Sequence, residues 1–219
     1  MISYIMTSSF RGNLFTISAP SGAGKTSLVK AMLERDRLLQ VSVSHTTRPI
    51  RPGEVDGVNY HFVTREAFLD LKDQNGFIEC AEVFGNWYGT AKTWVESALQ
   101  EGRDIVLEID WQGAEQIKRI WPETCAIFIL PPSHETLKER LEGRGQDSTE
   151  VIAKRLAEAE LEMTHYTISD FMVINDDFAT ALSDLQTIVQ AHRLTTRNQA
   201  RKHSDLLCDL IPSHTLRNK

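Results

Sequence analysis

Residues 14–33 read LFTISAPSGAGKTSLVKAML, and an apolar run, a small-residue loop and a helical pattern follow one another within them. The run Leu14 to Ser18 is typical of a buried strand, and Leu28, Val29 and Met32 recur at helical spacing. The loop between them is close to the G-x-x-x-x-G-K-[ST] pattern of a phosphate-binding P-loop. It consists of Ala19, Pro20, Ser21, Gly22, Ala23, Gly24, Lys25 and Thr26. Small residues let backbone N–H groups converge on phosphate oxygens, so this loop predicts a bound nucleoside triphosphate.

Each position of this loop has an expected part in binding. Ala19 stands where the pattern has glycine, and one extra methyl group is compatible with the turn if φ there is negative. Lys25 would bring a mobile positive charge to the β- and γ-phosphates. The hydroxyl of Thr26 is of the kind that ligates Mg²⁺ in such loops. The loop therefore predicts a nucleoside triphosphate that is bound together with Mg²⁺.

Composition limits the other classes of protein. The chain has 219 residues, of which 41% are hydrophobic and 25% charged, enough for one large core that carries smaller insertions. A net charge of −6 disfavours a nucleic-acid or membrane-surface binder. The three cysteines, Cys80, Cys125 and Cys208, lie far apart and lack metal-ligand spacing, which favours free thiols in a reducing compartment. Residues 1–13 have no basic region followed by a long apolar core, so we expect a cytoplasmic protein.

The order of patterns along the chain predicts an α/β fold. Four apolar runs alternate with helical patterns, at Leu14–Ser18, Ile105–Ile109, Ala126–Leu130 and Phe171–Ile174, and this alternation is typical of a parallel sheet with flanking helices. The segment 41–99 differs, because it holds short strand patterns at Val58–Val63 and Phe77–Val83 and a helical pattern at Arg65–Gln74. We interpret it as an inserted α+β lobe. We expect a lid region at 133–164, whose polar segment Gly143–Ser148 lies between two helical patterns.

The predicted domain boundaries follow from these patterns. They are a flexible leader at 1–12, a domain at 12–192 whose core consists of 12–40, 100–132 and 165–192, and a basic C-terminal tail at 193–219. We expect the last helix of the domain to start near Asp177. The tail is expected to be irregular and solvated rather than a nucleic-acid patch, because aromatic residues are not interleaved with its basic ones. Those basic residues are Arg193, Arg197, Arg201, Lys202, Arg217 and Lys219.

Two arginines in the inserted lobe suggest a second phosphate site. Arg48 and Arg51 lie in the proline-broken loop 42–54, and the guanidinium fork suits phosphate oxygens. Taken alone, two arginines in a loop are more often solvated surface residues. Tyr60 and Tyr88 in the same lobe can each donate a phenolic hydrogen bond, which favours the phosphate site.

Several motifs taken together resemble guanylate kinase. They are the P-loop, Ser44-His45-Thr46-Thr47-Arg48, Arg51-Pro52-Gly53-Glu54, Gly85-Asn86-Trp87-Tyr88-Gly89, Ile109-Asp110-Trp111-Gln112-Gly113 and Asn175-Asp176-Asp177. The resemblance covers about residues 12–192. It implies a P-loop NTPase-type parallel sheet with flanking helices, an inserted α+β lobe that binds GMP, and a helical lid. The implied reaction is transfer of the γ-phosphoryl group of ATP to GMP, which yields ADP and GDP.

The resemblance also implies roles for individual residues. The implied GMP-binding residues are Ser44, Arg48, Arg51, Tyr60, Glu79, Tyr88, Thr90, Glu108 and Asp110. The implied ATP-binding residues outside the P-loop are Arg140, Arg144 and Asn175. The residues implied to act in catalysis are Lys25, Arg48, Arg144 and Arg155. Thr26 is the implied Mg²⁺ ligand, with Asp110 acting through water.

Two of these assignments have plainer alternatives. Glu108 and Asp110 end a strand pattern, where a parallel sheet presents ligand-binding residues, but they could also cap the next helix. Similar enzymes usually have Asp at the position of Glu108. Arg155 could pair on the surface with Glu158, three positions on.

The seven histidines show no triad or metal grouping, and we assign none of them to catalysis. A phosphate monoester has a second pKa of about 6, so GMP needs no general base at neutral pH. Two rival functions remain, a non-catalytic interaction module and a kinase for AMP or dTMP. The sequence leaves a homo-oligomer open.

Overall fold

The structure is a computed structural model that describes residues 12–83, 85–143 and 149–211. A five-stranded parallel sheet forms its centre, in the order β2-β7-β1-β8-β9. Its strands are β1 (Leu14–Ser18), β2 (Leu39–Val41), β7 (Asp104–Glu108), β8 (Cys125–Leu130) and β9 (Phe171–Ile174). The four predicted strands are therefore confirmed. The fifth strand, β2, was missed because three residues are too few to show a period.

Helices cover both faces of this sheet. They are α1 (Lys25–Arg35), α3 (Lys92–Gln100), α4 (Trp111–Ile120) and α7 (Phe178–Arg193), the last of which begins directly after the predicted start, with Asp177 as its N-cap. Side chains of a strand alternate between faces, so Phe15 packs with α1 and α7 while its neighbour Leu14 packs on the α3 and α4 side. The sheet thus has an apolar core on each face, which holds the P-loop between β1 and α1.

The inserted lobe contains a second, four-stranded sheet in the order β4-β3-β6-β5. Its elements are β3 (His45–Thr46), β4 (His61–Phe62), α2 (Arg65–Asp73), β5 (Phe77–Val83) and β6 (Asn86–Ala91). Phe68 of α2 is fully buried and stacks on Phe77 with 4.4 Å between ring centroids. The predicted strand Val58–Val63 is wrong in extent, because turns occupy Gly57–Asn59 and only two residues pair.

The predicted lid region holds two helices, α5 (His134–Glu142) and α6 (Thr149–Met163), and a 3₁₀ turn at Thr164–Ile168 follows. Residues 144–148, which include Arg144 and most of the predicted polar segment, lie outside the described residues. Leu137 and Leu141 of α5 pack with Ala159 of α6 in a small apolar cluster. This packing holds α6 beside the P-loop end of the sheet.

The expectation of an irregular C-terminal tail is wrong. Helices α8 (Thr196–Lys202) and α9 (Ser204–Leu210) follow α7. Arg193 is 16% exposed and donates hydrogen bonds to the carboxylates of Asp36 and Asp104, both at 2.6 Å. Arg201 donates to the carbonyl oxygen of Gly12 at 3.2 Å. Arg193 therefore fixes the end of α7 to the core and Arg201 fixes α8, although both were expected to be solvated. Arg217 and Lys219 lie outside the described residues.

Among the described residues, no helix is at once long enough and apolar enough to cross a membrane.

Candidate active site

The P-loop has the backbone that its glycines predict. Gly22 and Gly24 adopt left-handed φ values of 93° and 92°. A Cβ atom at position 24 would lie 2.4 Å from Nδ2 of Asn175, so both conformation and space require glycine there. Among the described non-glycine residues only Asn75 has a positive φ, so Ala19 meets the condition under which alanine is tolerated.

The charged and hydroxyl groups of the P-loop point to the carboxyl end of β7. Nζ of Lys25 donates a hydrogen bond to the carbonyl oxygen of Ile109 at 2.9 Å. The hydroxyl of Thr26 donates to the carboxylate of Glu108. The side chain that replaces the usual Asp is thus long enough to reach the P-loop threonine directly.

Residues of the lid region and of β9 converge on the same loop. Arg155 of α6 donates to the hydroxyl of Ser21 at 2.7 Å, while Glu158 lies 3.9 Å from Lys154 in an i,i+4 pair. Asn175, which follows β9, donates from Nδ2 to the carbonyl oxygen of Ala23 at 2.7 Å. The alternative of a surface pair between Arg155 and Glu158 therefore gives way to a contact with the loop.

The predicted residue Arg140 contacts both Asn175 and the P-loop, where its Nη1 donates to the carbonyl oxygen of Ala23 at 3.5 Å. Its guanidinium donates to the carbonyl oxygen of Asn175 at 2.9 Å. Oδ1 of Asn175 is buried and has no hydrogen-bond partner in the structure. An unpaired buried amide oxygen is costly, and a donor that arrives with a ligand would satisfy it.

Sequence reasoning missed Glu162 at this site. Its carboxylate accepts a hydrogen bond from the backbone N–H of Ser21 at 3.1 Å, and burial raises its pKa. Glu162 and Arg155 are seven positions apart, which places both on one face of α6. That spacing of opposite charges was the available signal, but nothing in the sequence showed which surface α6 faces.

Three of the predicted GMP-binding residues meet in a buried row across the inserted lobe. Oγ of Ser44 lies 3.2 Å from Oγ1 of Thr90, and Thr90 donates from Oγ1 to the Glu79 carboxylate at 2.5 Å. Ser44, Thr90 and Glu79 are 8%, 0% and 4% exposed. They come together because β6 pairs with both neighbouring strands, so that Thr90 lies beside Glu79 in the ladder.

The environment of Glu79 changes its acidity. Burial raises the pKa of its carboxyl to about 7, against the opposing hydrogen bond from Thr90. The negative charge of Asp110 acts in the same direction as burial. Hydrogen-bond donors that a ligand brings to this buried carboxyl would stabilise its ionised form.

The residues of the predicted phosphate clamp lie together in the inserted lobe. The rings of Tyr60 and Tyr88 meet edge to face at 5.9 Å, and the Arg48 guanidinium carbon lies 5.5 Å from the centroid of Tyr60. Arg48 pairs with Glu54 at 2.7 Å, and this contact lowers the pKa of Glu54. The backbone N–H of Arg51 also donates to Glu54, while its side chain is exposed. Glu54 therefore binds the guanidinium of Arg48 and the backbone N–H of Arg51.

Asp110 has the plainer role that the sequence left open, because it is the N-cap of α4. Its Oδ1 accepts from the backbone N–H of Gly113 at 2.9 Å, and its Oδ2 accepts from Gln112 at 3.1 Å. Glu108 does not cap the helix but faces Thr26. Asp110 thus caps α4, whereas Glu108 accepts a hydrogen bond from the P-loop threonine.

Comparison with known proteins agrees with this geometry. A family model described as guanylate kinase matches residues 11–192. The chain is 56% identical over 204 residues to a curated guanylate kinase of Shewanella denitrificans, which covers 93% of the chain and 99% of that protein. It is 60% identical over 184 residues to a curated guanylate kinase of Hahella chejuensis, which covers 84% of the chain and 88% of that protein.

A solved structure has the same fold. The crystal structure of guanylate kinase from Anaplasma phagocytophilum aligns with a TM-score of 0.74 at 32% identity, and the alignment covers 90% of the chain and 96% of that structure. The chain therefore belongs to the guanylate kinase family.

Proposed function

We propose that this chain transfers the γ-phosphoryl group of ATP to GMP, with ATP on the P-loop and GMP in the inserted lobe. The observation that carries this proposal is the buried row of Ser44, Thr90 and Glu79. A P-loop alone indicates a triphosphate, whereas this row indicates which base the acceptor carries. Family membership supports the same reaction.

Glu79 selects guanine by the pattern of its hydrogen-bond donors. The N1–H and the exocyclic amine of guanine are adjacent donors, which a single carboxylate accepts together. Adenine instead presents an unprotonated N1, whose lone pair would face the carboxylate. Because Glu79 is buried, a base without these donors leaves its charge unpaired, and such a mismatch is costly.

Arginine and lysine side chains carry the transfer step. Arg48 and Arg51, with the hydroxyls of Tyr60 and Tyr88, hold the phosphate of GMP in this proposal. Charge on the transferring group spreads over its three equatorial oxygens, which Lys25 and arginines of the lid region can stabilise. These arginines are Arg140, Arg144 and Arg155.

No general base is needed, since the GMP phosphate is mostly dianionic at neutral pH. Closure of the inserted lobe and the lid region would exclude water and so prevent ATP hydrolysis from competing. Among the described residues, no histidine contacts the P-loop or Glu79 through a hydrogen bond. The chemistry of this site is positioning and charge stabilisation.

The residues beside the P-loop fit a Mg²⁺ ion that arrives with ATP. Thr26 offers a hydroxyl oxygen and Glu108 a carboxylate oxygen next to it, and Mg²⁺ prefers such oxygen ligands. We assign Thr26 as the protein ligand and Glu108 as the residue that orients it. Asp110 is held by its cap hydrogen bonds, so its contact would pass through water. When bound, the ion neutralises charge on the β- and γ-phosphates.

The direct test measures ADP formation from ATP and Mg²⁺ with GMP, AMP, dTMP or no acceptor. We expect turnover with GMP alone. Lys25→Ala should lower it about a thousandfold, as does loss of a comparable charge in related reactions. Lys30→Ala is the matched control, because Lys30 is an exposed lysine on the same helix. Turnover with a different acceptor would assign the chain to another monophosphate, and GMP binding without turnover would support an interaction module.

The remaining expectations from the sequence stay predictions. They are a cytoplasmic location, small-molecule substrates without nucleic-acid or membrane partners, and a homo-oligomer that is left open.

A further inference from the structure

Strand β5 is an edge strand of the inserted sheet, and a side chain of the central domain covers its open edge. Within the part of the chain that the structure describes, only β6 pairs with it in the sheet. On the other edge, the backbone N–H of Cys80 donates to Oε1 of Gln116 at 3.2 Å, and Nε2 of Gln116 donates to the Cys80 carbonyl oxygen at 2.9 Å. One primary amide thus supplies the donor and the acceptor that a neighbouring strand would supply.

The same helix also touches the side chain that precedes Cys80. A Cβ atom added to Gly113 of α4 would lie 2.6 Å from Oε2 of Glu79. Asp110, Gly113 and Gln116 recur every three positions, so they lie on one face of α4. On this face Asp110 caps the helix, Gly113 lies against the Glu79 carboxylate, and Gln116 binds the Cys80 backbone.

The strand needs such support at this point. The pairing of β5 with β6 is irregular between Phe77 and Glu79, where the register shifts. An irregularity of this kind weakens the ladder locally and re-aims the next side chain. The two hydrogen bonds between Gln116 and the Cys80 backbone restrain the residue next to Glu79, one position beyond the shift.

We propose that Gln116 is a positioning residue for GMP recognition, which acts by fixing strand β5 against helix α4 so that Glu79 faces the guanine edge. This inference rests on the proposed function. Gln116 itself would not touch GMP. It would set how well the Glu79 carboxylate meets two donors at once, whereas Thr90 restrains that carboxylate from β6 and makes no hydrogen bond to the outer edge of β5.

The test replaces the amide while keeping its length. Gln116→Met removes both hydrogen bonds, and Gln116→Glu keeps an acceptor for Cys80 N–H but loses the donor to the carbonyl oxygen. Two ordinary hydrogen bonds support an expected rise in KM for GMP of about tenfold, with KM for ATP within about twofold of the wild type. Gln190→Met is the matched control, because Gln190 is an exposed glutamine on α7.

The decisive readout is discrimination between GMP and IMP. IMP keeps N1–H but lacks the exocyclic amine, so a displaced Glu79 should favour GMP less over IMP. We expect the ratio of kcat/KM values for GMP and IMP to fall about tenfold in both Gln116 variants and to stay unchanged in Gln190→Met. An unchanged ratio in folded Gln116 variants would overturn the proposal. So would an equal loss towards GMP and ATP, which indicates a general structural role.

Two further results keep the outcomes apart. If Gln116→Met fails to fold, Gln116→Glu still tests the positioning, because it keeps the acceptor for the Cys80 N–H and removes the donor to the Cys80 carbonyl oxygen. Gln116→Glu with the wild-type ratio would then contradict the proposal. If the wild-type chain does not phosphorylate GMP, the proposed function is wrong. If it does and the variants keep their preference, only the role of Gln116 is wrong.

Discussion

The two ends of this site hold their ligands with different parts of the chain. The P-loop presents backbone N–H groups of neighbouring residues in one short loop, and its left-handed Gly22 and Gly24 make that arrangement possible. The proposed guanine end consists of the side chains of Ser44, Glu79 and Thr90, which are far apart in the sequence and buried in the inserted lobe. A backbone site needs only local conformation, whereas a side-chain site needs its strands in register.

The difference extends to electrostatics. The P-loop end offers positive charge and helix polarity to an anion. At the guanine end, burial holds the pKa of Glu79 near 7, so part of the carboxyl is protonated at neutral pH before GMP binds. We therefore expect selectivity and pH sensitivity to arise mainly at the guanine end.

Glu79→Gln should have the largest effect on GMP relative to its effect on ATP. The amide places a donor against guanine's donors, and loss of a charge-assisted interaction supports a fall in kcat/KM for GMP of about a hundredfold. KM for ATP should stay near the wild-type value. Steady-state kinetics with GMP and AMP measure this, with Glu82→Gln as control because that side chain on the same strand is 43% exposed. Retained preference for GMP over AMP would contradict the role of Glu79.

The pH dependence of GMP use should differ from that of ATP binding. The ionised form of Glu79 accepts the guanine donors, and its pKa is raised to about 7, so kcat/KM for GMP should fall as the pH drops below 7. The fall should approach about tenfold per pH unit. The phosphate of GMP also titrates near pH 6, but it does so equally in Glu79→Gln. A pH profile that is identical in both proteins would assign the effect to the substrate alone.

Substitution of Glu162 should weaken ATP binding at the P-loop end, and the effect should be smaller than that of Glu79→Gln on GMP. Glu162→Ala leaves the Ser21 N–H without its acceptor, and we expect KM for ATP to rise about fivefold while KM for GMP changes little. Glu162→Gln keeps an acceptor and should stay closer to the wild type. Glu160→Gln is the control, since that carboxylate lies on the same helix and is 60% exposed. An increase confined to the KM for GMP would show that Glu162 does not serve the P-loop.

Arg193→Leu should leave both ends unchanged and lower stability instead. It breaks ion pairs with Asp36 and Asp104, whose side chains are 20% and 9% exposed, and leaves these carboxylates unpaired. We expect a loss of about 3 kcal/mol in the free energy of unfolding and unaltered KM values. Thermal and denaturant unfolding measure the loss, beside Arg197→Leu, whose side chain is 54% exposed. A changed KM for either substrate would show that the C-terminal helices reach the site.

The comparison also explains which predictions came from the sequence. Strands such as β8 and the P-loop were found because a run of adjacent residues carries the whole pattern. The extent of β4 was predicted wrongly, and β2 was not predicted. Both strands are so short that pairing with their neighbours, rather than a sequence period, defines them. Helices α8 and α9 were missed because each has only seven residues, too few for a clear apolar face.

The sequence by itself determined the triphosphate loop, the alternation of strands and helices, and the motif set that identifies the family, because each depends on residues close together in the chain. Only the tertiary structure decided that Glu54 organises the loop arginines, that Glu162 reaches Ser21, and that Gln116 covers the edge of β5. The physical reason is that a long side chain finds its partner through the packing of distant elements, and no local pattern records which elements pack together.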